Sequence, residues 1–272
     1  MAKEIRSRLS AHPESPNITG AALAAEFHGN YDRQSEQVFY QAFYEWIYSS
    51  EQSFVYKYNS SHIVSGITDA FNQTYSLYNK IGLYEGEYGY HEKAFPDRIT
   101  FNLKEADVII ISHPFSADGN CAHSKLKEAD KLGIPIFVDC AFFGVCAGID
   151  FDFTPYNNIH SVCFSLSKTF GTGWQRVGML FTNDNYPVSV YDGWNYPLTS
   201  SSMYHYNLIK KYGPDDIYRK YRFQQEEICG IMNIQTSSTV IFGLDYTDQY
   251  NEYKRGNVNR LCISREFNNE SI

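Results

Sequence analysis

Apolar and polar positions along the chain change period several times. Residues 36–50 space Val38, Phe39, Phe43 and Ile47 at helical intervals, which predicts a helix there. Residues 53–58 read as a short β-rich run, and residues 67–81 read as a helix entered from Ile63-Val64-Ser65-Gly66. A short strand is predicted at 83–85. The run Asp107-Val108-Ile109-Ile110-Ile111-Ser112 is continuously apolar in its centre, the pattern of a strand buried on both faces. A helix is predicted over 125–132 and a second buried strand over 134–139. Two more strands are predicted over 161–165 and 177–181. Strands alternating with helices imply an α/β fold with a mainly parallel sheet flanked by helices.

The texture differs at the two ends. Residues 1–35 show little period, with Pro13, Pro16, Gly20 and Gly29, and read as an N-terminal arm with one helix near 21–27. Residues 183–200 are rich in Asn, Asp, Pro, Gly and Tyr and read as a loop. Residues 203–232 read as helical, broken near Gly213-Pro214. Residues 238–264 read as a small α+β unit whose last strand holds Leu261-Cys262-Ile263. The predicted organisation is an arm at 1–35, a large α/β domain at 36–190 and a small C-terminal α+β domain at 191–272.

Composition narrows the function classes. Apolar residues are 43% of the 272, enough for a full core. The formal net charge of -8 argues against a dedicated nucleic-acid binder, which usually carries a basic excess. The first fifteen residues lack an apolar core segment, so no secretion signal is expected. Apolar runs such as 108–111 are far too short to span a bilayer. The six cysteines form no Cys-x-x-Cys pair. They read as small buried hydrophobes in a reducing, cytoplasmic compartment, with no metal site expected.

The chemistry concentrates after two strands. In Ser165-Leu166-Ser167-Lys168-Thr169-Phe170-Gly171-Thr172-Gly173, a lysine sits just past a strand, and Arg176 follows eight residues later. A lysine in such a place can form a Schiff base with an aldehyde cofactor. Neighbouring hydroxyls and a guanidinium suit a phosphate group. Asp139 ends the strand before Cys140-Ala141-Phe142, where open α/β sheets bind ligands. A carboxylate there can pair with a protonated pyridine nitrogen. Each signal alone is weak: a lysine after a strand is often only a surface charge, and a strand-end aspartate often only caps a turn.

Together, Asp139-Cys140-Ala141-Phe142, Ser165-Leu166-Ser167-Lys168 and Arg176 resemble the fold type I pyridoxal-phosphate enzymes. The likeness is nearest to class I/II aminotransferases of the aspartate aminotransferase superfamily, in a short form. The resemblance runs from about Ser65 to Arg260. It implies that Lys168 carries pyridoxal 5'-phosphate as a Schiff base and shuttles the proton, and that Asp139 partners the pyridine nitrogen. Ser165 and Arg176 look like phosphate ligands, and Ser65, Gly66 and Ile67 look like the phosphate-cradling turn. Tyr88, or else Tyr90, looks like the ring that stacks on the cofactor, with His91 bonded to Asp139 from behind. Arg260 is similar to the arginine that grips the substrate carboxylate.

Three positions depart from the family pattern. His113 stands for the usual Asn and Phe142 for a frequent Tyr, both expected at the cofactor's 3-oxygen. Trp174 stands where a small residue is usual. The resemblance further implies small-molecule amino donors and acceptors and a homodimer sharing its active sites, without nucleic-acid or membrane partners. The expected activity is transamination. A decarboxylase or lyase on the same scaffold, and a non-catalytic binding protein, are the alternatives.

Overall fold

The computed structural model describes residues 2–10, 33–184 and 199–267. In chain order the elements are α1 (Ala2–Arg8), α2 (Arg33–Tyr48), β1 (Ser60–Val64), α3 (Ile67–Leu77), β2 (Ile81–Gly82), α4 (Tyr90–Ala94), β3 (Ile99–Thr100) and β4 (Val108–Ser112). Then come α5 (His123–Asp130), β5 (Ile136–Cys140), β6 (Ile159–Ser165), α6 (Ser167–Phe170), β7 (Gly178–Thr182), α7 (Thr199–Lys211) and α8 (Asp216–Met232). The last strands are β8 (Gln235–Thr236), β9 (Phe242–Asp245), β10 (Lys254–Arg255) and β11 (Val258–Cys262).

The main sheet has seven strands in the order β1-β7-β6-β5-β4-β2-β3. β6, β5, β4, β2 and β3 run parallel to one another, while β7 is antiparallel to both β6 and β1. The link from β6 to β7 holds only the single turn of α6, and the chain returns beside β6 in the opposite sense. Every residue of β4, β5 and β7 is buried, as the continuous apolar runs require.

The pleat divides the core. Ile109, Ile111 and Val138 pack with Phe39, Phe43, Trp46 and Ile47 of α2 on one face. Val108, Ile110 and Phe137 pack with Ile67, Ala70 and Phe71 of α3 on the other. Alternate side chains of a strand point to opposite faces, so one apolar run feeds both cores. A second, four-stranded sheet has the order β10-β11-β9-β8. It packs on Ile228, Cys229 and Met232 of α8, and Ile5 of α1 joins that core. Arg8 of α1 holds Glu266 through two bonds, of 2.6 and 2.5 Å.

Several local readings change. Residues 53–58 form no strand; Val55 makes only an isolated bridge to Asp152. Phe54 instead packs its ring on Phe164 at 4.9 Å and Phe181 at 5.3 Å, so the apolar content of this segment anchors a loop on the sheet. The edge strand lies just beyond, at β1. The strand expected at 83–85 is displaced to β2, which also ends the preceding helix at Leu77. The break at Gly213-Pro214 separates α7 from α8 as expected. The helix expected near 21–27 and residues 185–198 of the expected loop lie outside the described residues. Among the described residues no helix is long and apolar enough to cross a membrane.

Candidate active site

The carboxyl ends of β4, β5 and β6 lie side by side, with Ser112 opposite Asp139 and Asp139 opposite Cys163 in the register. A cleft opens there with about 640 Å³ of empty space, its open mouth included. Ile67, Tyr88, Asp139, Phe142, Ser165, Lys168, Arg176 and Arg260 all line it. These residues come from six separate parts of the chain.

Lys168 rides on α6, the single turn after β6. Gly171 closes that turn at φ +68°, a left-handed conformation that favours glycine. Burial lowers the Lys168 pKa; the charges of Arg260 and Arg176 push the same way, while Cys262 and Asp139 pull back. The lysine is thereby readied to act as a neutral amine.

Asp139 is 5% exposed and accepts the Ala141 N–H at 2.8 Å. Burial, and next the charge of Glu87, push its pKa up to about 7. Glu87 is buried as well, and burial raises it too. It accepts the N–H groups of Ser112 and Tyr88, each at 2.8 Å, and the Ser112 hydroxyl. Glu87 has more donors aimed at it than Asp139, and the two buried carboxyls titrate as a coupled pair.

The opposite end of the cleft is built for an anion. α3 starts at Gly66, φ +73°, with no side-chain cap, and first-turn N–H groups of a helix attract anions. Arg176 donates to Thr68 Oγ1 at 2.5 Å. A Cβ at Gly66 would sit 3.2 Å from Arg176 Nε, and one at Gly178 would sit 2.5 Å from the Phe164 carbonyl oxygen. The two glycines let the helix start, β7 and the guanidinium approach closely. The Ser167 hydroxyl lines the cleft and is buried with no hydrogen-bond partner.

Arg260, on β11, is 2% exposed. It donates to the Ser116 carbonyl, lies over the Phe242 ring at 4.5 Å, and its Nε has no partner. Burial and the neighbouring Arg255 lower its pKa to about 9, so it is a cation at neutral pH. Phe142 packs edge-on against Phe242 at 5.2 Å and forms an apolar wall. Tyr88 reaches the cleft, whereas Tyr90 stacks behind it at 6.0 Å.

Other sequence-derived placements are corrected. His91 does not meet Asp139: its Nδ1 bonds the Tyr75 hydroxyl and its ring packs on Phe71 at 4.4 Å. His113 is fully buried but does not line the cleft. Its Nε2 faces the Asp150 carbonyl at 2.8 Å, and its Nδ1 accepts the Ala122 N–H at 3.2 Å. Ser65 also stands off the lining, its N–H donated to Asp69 Oδ2 at 3.0 Å. Trp174 is 63% exposed and stays out of the cleft. Conversely, the structure adds Arg255, Ser112, Ser116 and Phe71 to the lining and Glu87 behind it. Arg255 had one local signal, the Arg-Gly turn that carries it beside Gly86.

No family model matches the sequence, and no curated protein matches it. Solved structures do. Histidinol-phosphate aminotransferase from Clostridium acetobutylicum superposes with a TM-score of 0.65 at 15% identity, covering 93% of this chain and 92% of the other. The chain has the fold of the fold type I aminotransferases. Histidinol-phosphate aminotransferase from Sinorhizobium meliloti, solved in complex with pyridoxal-5'-phosphate, gives 0.65 at 11% identity, covering 98% of this chain and 91% of that one. L-threonine-O-3-phosphate decarboxylase from Porphyromonas gingivalis gives 0.55 at 14% identity, covering 79% and 76%.

Proposed function

We propose that this chain is a pyridoxal-phosphate-dependent enzyme acting on an amino acid or amine, and that it is an aminotransferase. The observation that carries the reading is the single cleft shared by Lys168, Asp139, Arg176 and Arg260. The residues fit the cofactor. The partnerless Ser167 hydroxyl, Arg176, Thr68 and the first turn of α3 would hold its phosphate. Lys168 would hold its aldehyde, and Asp139 its ring nitrogen. When bound, pyridoxal phosphate supplies an electron-withdrawing ring that stabilises negative charge at a substrate's α-carbon.

The chain's own residues supply the rest. Arg260 binds and orients the substrate carboxylate with its cationic fork. Lys168, lowered by burial, takes the α-proton as general base and returns it as general acid. Asp139 would hold the ring nitrogen, and a cation there would favour its ionised form. Tyr88, Phe71 and Phe142 wall the cleft with apolar surface and exclude water. A second copy of the chain at the cleft mouth, and a reducing compartment in keeping with six free cysteines, belong to the same reading.

The test is a product assay with pyridoxal phosphate, a panel of amino acids and a 2-keto acid acceptor. Matched amounts of new keto acid and new amino acid are expected. Neither product from any donor, with cofactor demonstrably bound, would overturn the aminotransferase reading. The decarboxylase among the structural neighbours keeps decarboxylation as the second reading, and CO2 released without keto acid would establish it.

A further inference from the structure

His113, expected at the cofactor, turns away from it and meets a different set of groups. His113, Cys121 and His123 each offer one ligand atom, and these atoms all lie within 4.8 Å of one another. We propose that His113, Cys121 and His123 form a zinc site behind the cleft, a role independent of the cofactor reading.

The donor set is that of a borderline-soft divalent cation: two imidazoles and a thiol. The outer partners are already in place. His113 Nδ1 accepts the Ala122 N–H at 3.2 Å, which leaves the lone pair on Nδ1 and the proton on Nε2. That proton goes to the Asp150 carbonyl at 2.8 Å. A metal taken at Nδ1 needs this same tautomer, with a backbone carbonyl holding the other nitrogen. The Ala122 N–H gives up only a long bond. His123 Nε2 donates to the same Asp150 carbonyl at 2.9 Å, which leaves the lone pair on Nδ1, where a metal replaces the Tyr156 hydroxyl that meets it at 2.6 Å.

The surroundings suit a cation. The Asp150 carboxylate lies 3.8 Å from His123 Nε2 and adds negative charge on that side of the ring. Phe151 and Phe153 meet the His113 ring edge-on at 4.8 and 5.5 Å, forming a dry inner wall. Cys121 is exposed, which gives an ion an entry side. On binding, Cys121 loses its thiol proton to solvent and becomes the thiolate ligand. The Cys-x-His spacing of Cys121 and His123 is no cysteine pair, and the third ligand, His113, comes from just past the end of β4. The His113 N–H donates to the Asp139 carbonyl at 2.8 Å, so a bound ion would pin the strand end that carries the cleft's aspartate.

The test is titration of the chelator-stripped full chain with Co2+, followed by Zn2+. One equivalent of Co2+ per chain is expected, with a sulfur-to-cobalt charge-transfer band that Zn2+ abolishes. Cys121→Ser should remove that band, and Cys121→Ser and His123→Ala should each weaken Zn2+ binding at least about a hundredfold, the upper end of what second-shell losses cost. Both positions lie toward the surface, and circular dichroism checks that the variants fold. Absence of stoichiometric uptake by the folded wild-type chain, or uptake unchanged in both variants, would overturn the site.

Discussion

Asp139 is buried beside a second buried carboxyl, and that has a consequence for stability that needs no substrate to measure. Its pKa rises from 3.8 to about 7, whereas an unfolded chain's aspartate titrates near its ordinary value. The folded chain therefore binds this proton more tightly than the unfolded chain. The stabilisation is fully present below about pH 4 and is lost as pH rises through about 7. At roughly 1.4 kcal/mol per pKa unit, the whole loss is about 4 kcal/mol. Between pH 5 and pH 8 the linkage relation gives a loss of about 2–3 kcal/mol. Asp139→Asn keeps the shape and removes the titration. In urea unfolding of the cofactor-free chain, the stability of the variant minus that of wild type should grow by about 2–3 kcal/mol from pH 5 to pH 8. Glu87→Gln should move the wild-type midpoint to lower pH, because the Glu87 charge is the second cause of the shift. A gap that is the same at both pH values would refute the raised Asp139 pKa.

Two further substitutions probe the scaffold and the anion end. Gly144→Ala would drive a Cβ into Thr169 Oγ1 and should destabilise the chain by about 1–3 kcal/mol, measured by urea unfolding. Thr169→Ala, which removes the obstructing hydroxyl, should recover part of that loss in the double variant. Arg176→Gln removes the cation beside Thr68 and should weaken pyridoxal phosphate binding about 10- to 100-fold, the equivalent of a charge-assisted bond. A spectral titration measures it, and unchanged affinity would place the phosphate elsewhere.

The sequence was most legible where local pattern and burial coincide. β4, β5 and β7 are apolar over most of their length and buried throughout, so their runs mark them as strands. Asp139 could be placed because it ends the apolar run of β5, and Lys168 because it follows β6, and the sheet then carries both to one edge. Residues 53–58 misled because aromatic content favours strands on average, while here Phe54 serves packing against Phe164 and Phe181. The reversal of β7 left no mark, since an apolar strand reads the same in either direction.

The histidines show a different limit. His91 and His113 stand near the expected positions along the chain, but their rings follow long-range partners, Tyr75 and Asp150. Those partners lie 16 and 37 residues away, beyond any motif. Glu87 is one of two acids in the Glu85-Gly86-Glu87 turn, and nothing local announces that the fold will bury it next to Asp139. Arg255 likewise becomes a cleft residue only because β10 folds back beside Gly86.

The central claim rests on Lys168, and an absorbance spectrum tests it most directly. Purified chain is mixed with pyridoxal phosphate beside Lys168→Ala, with borohydride reduction of each. The account predicts an absorbance band in the wild-type chain that borohydride fixes covalently to the peptide bearing Lys168, and its loss in the variant. No band in either protein, or the same fixed band in both, would contradict the account.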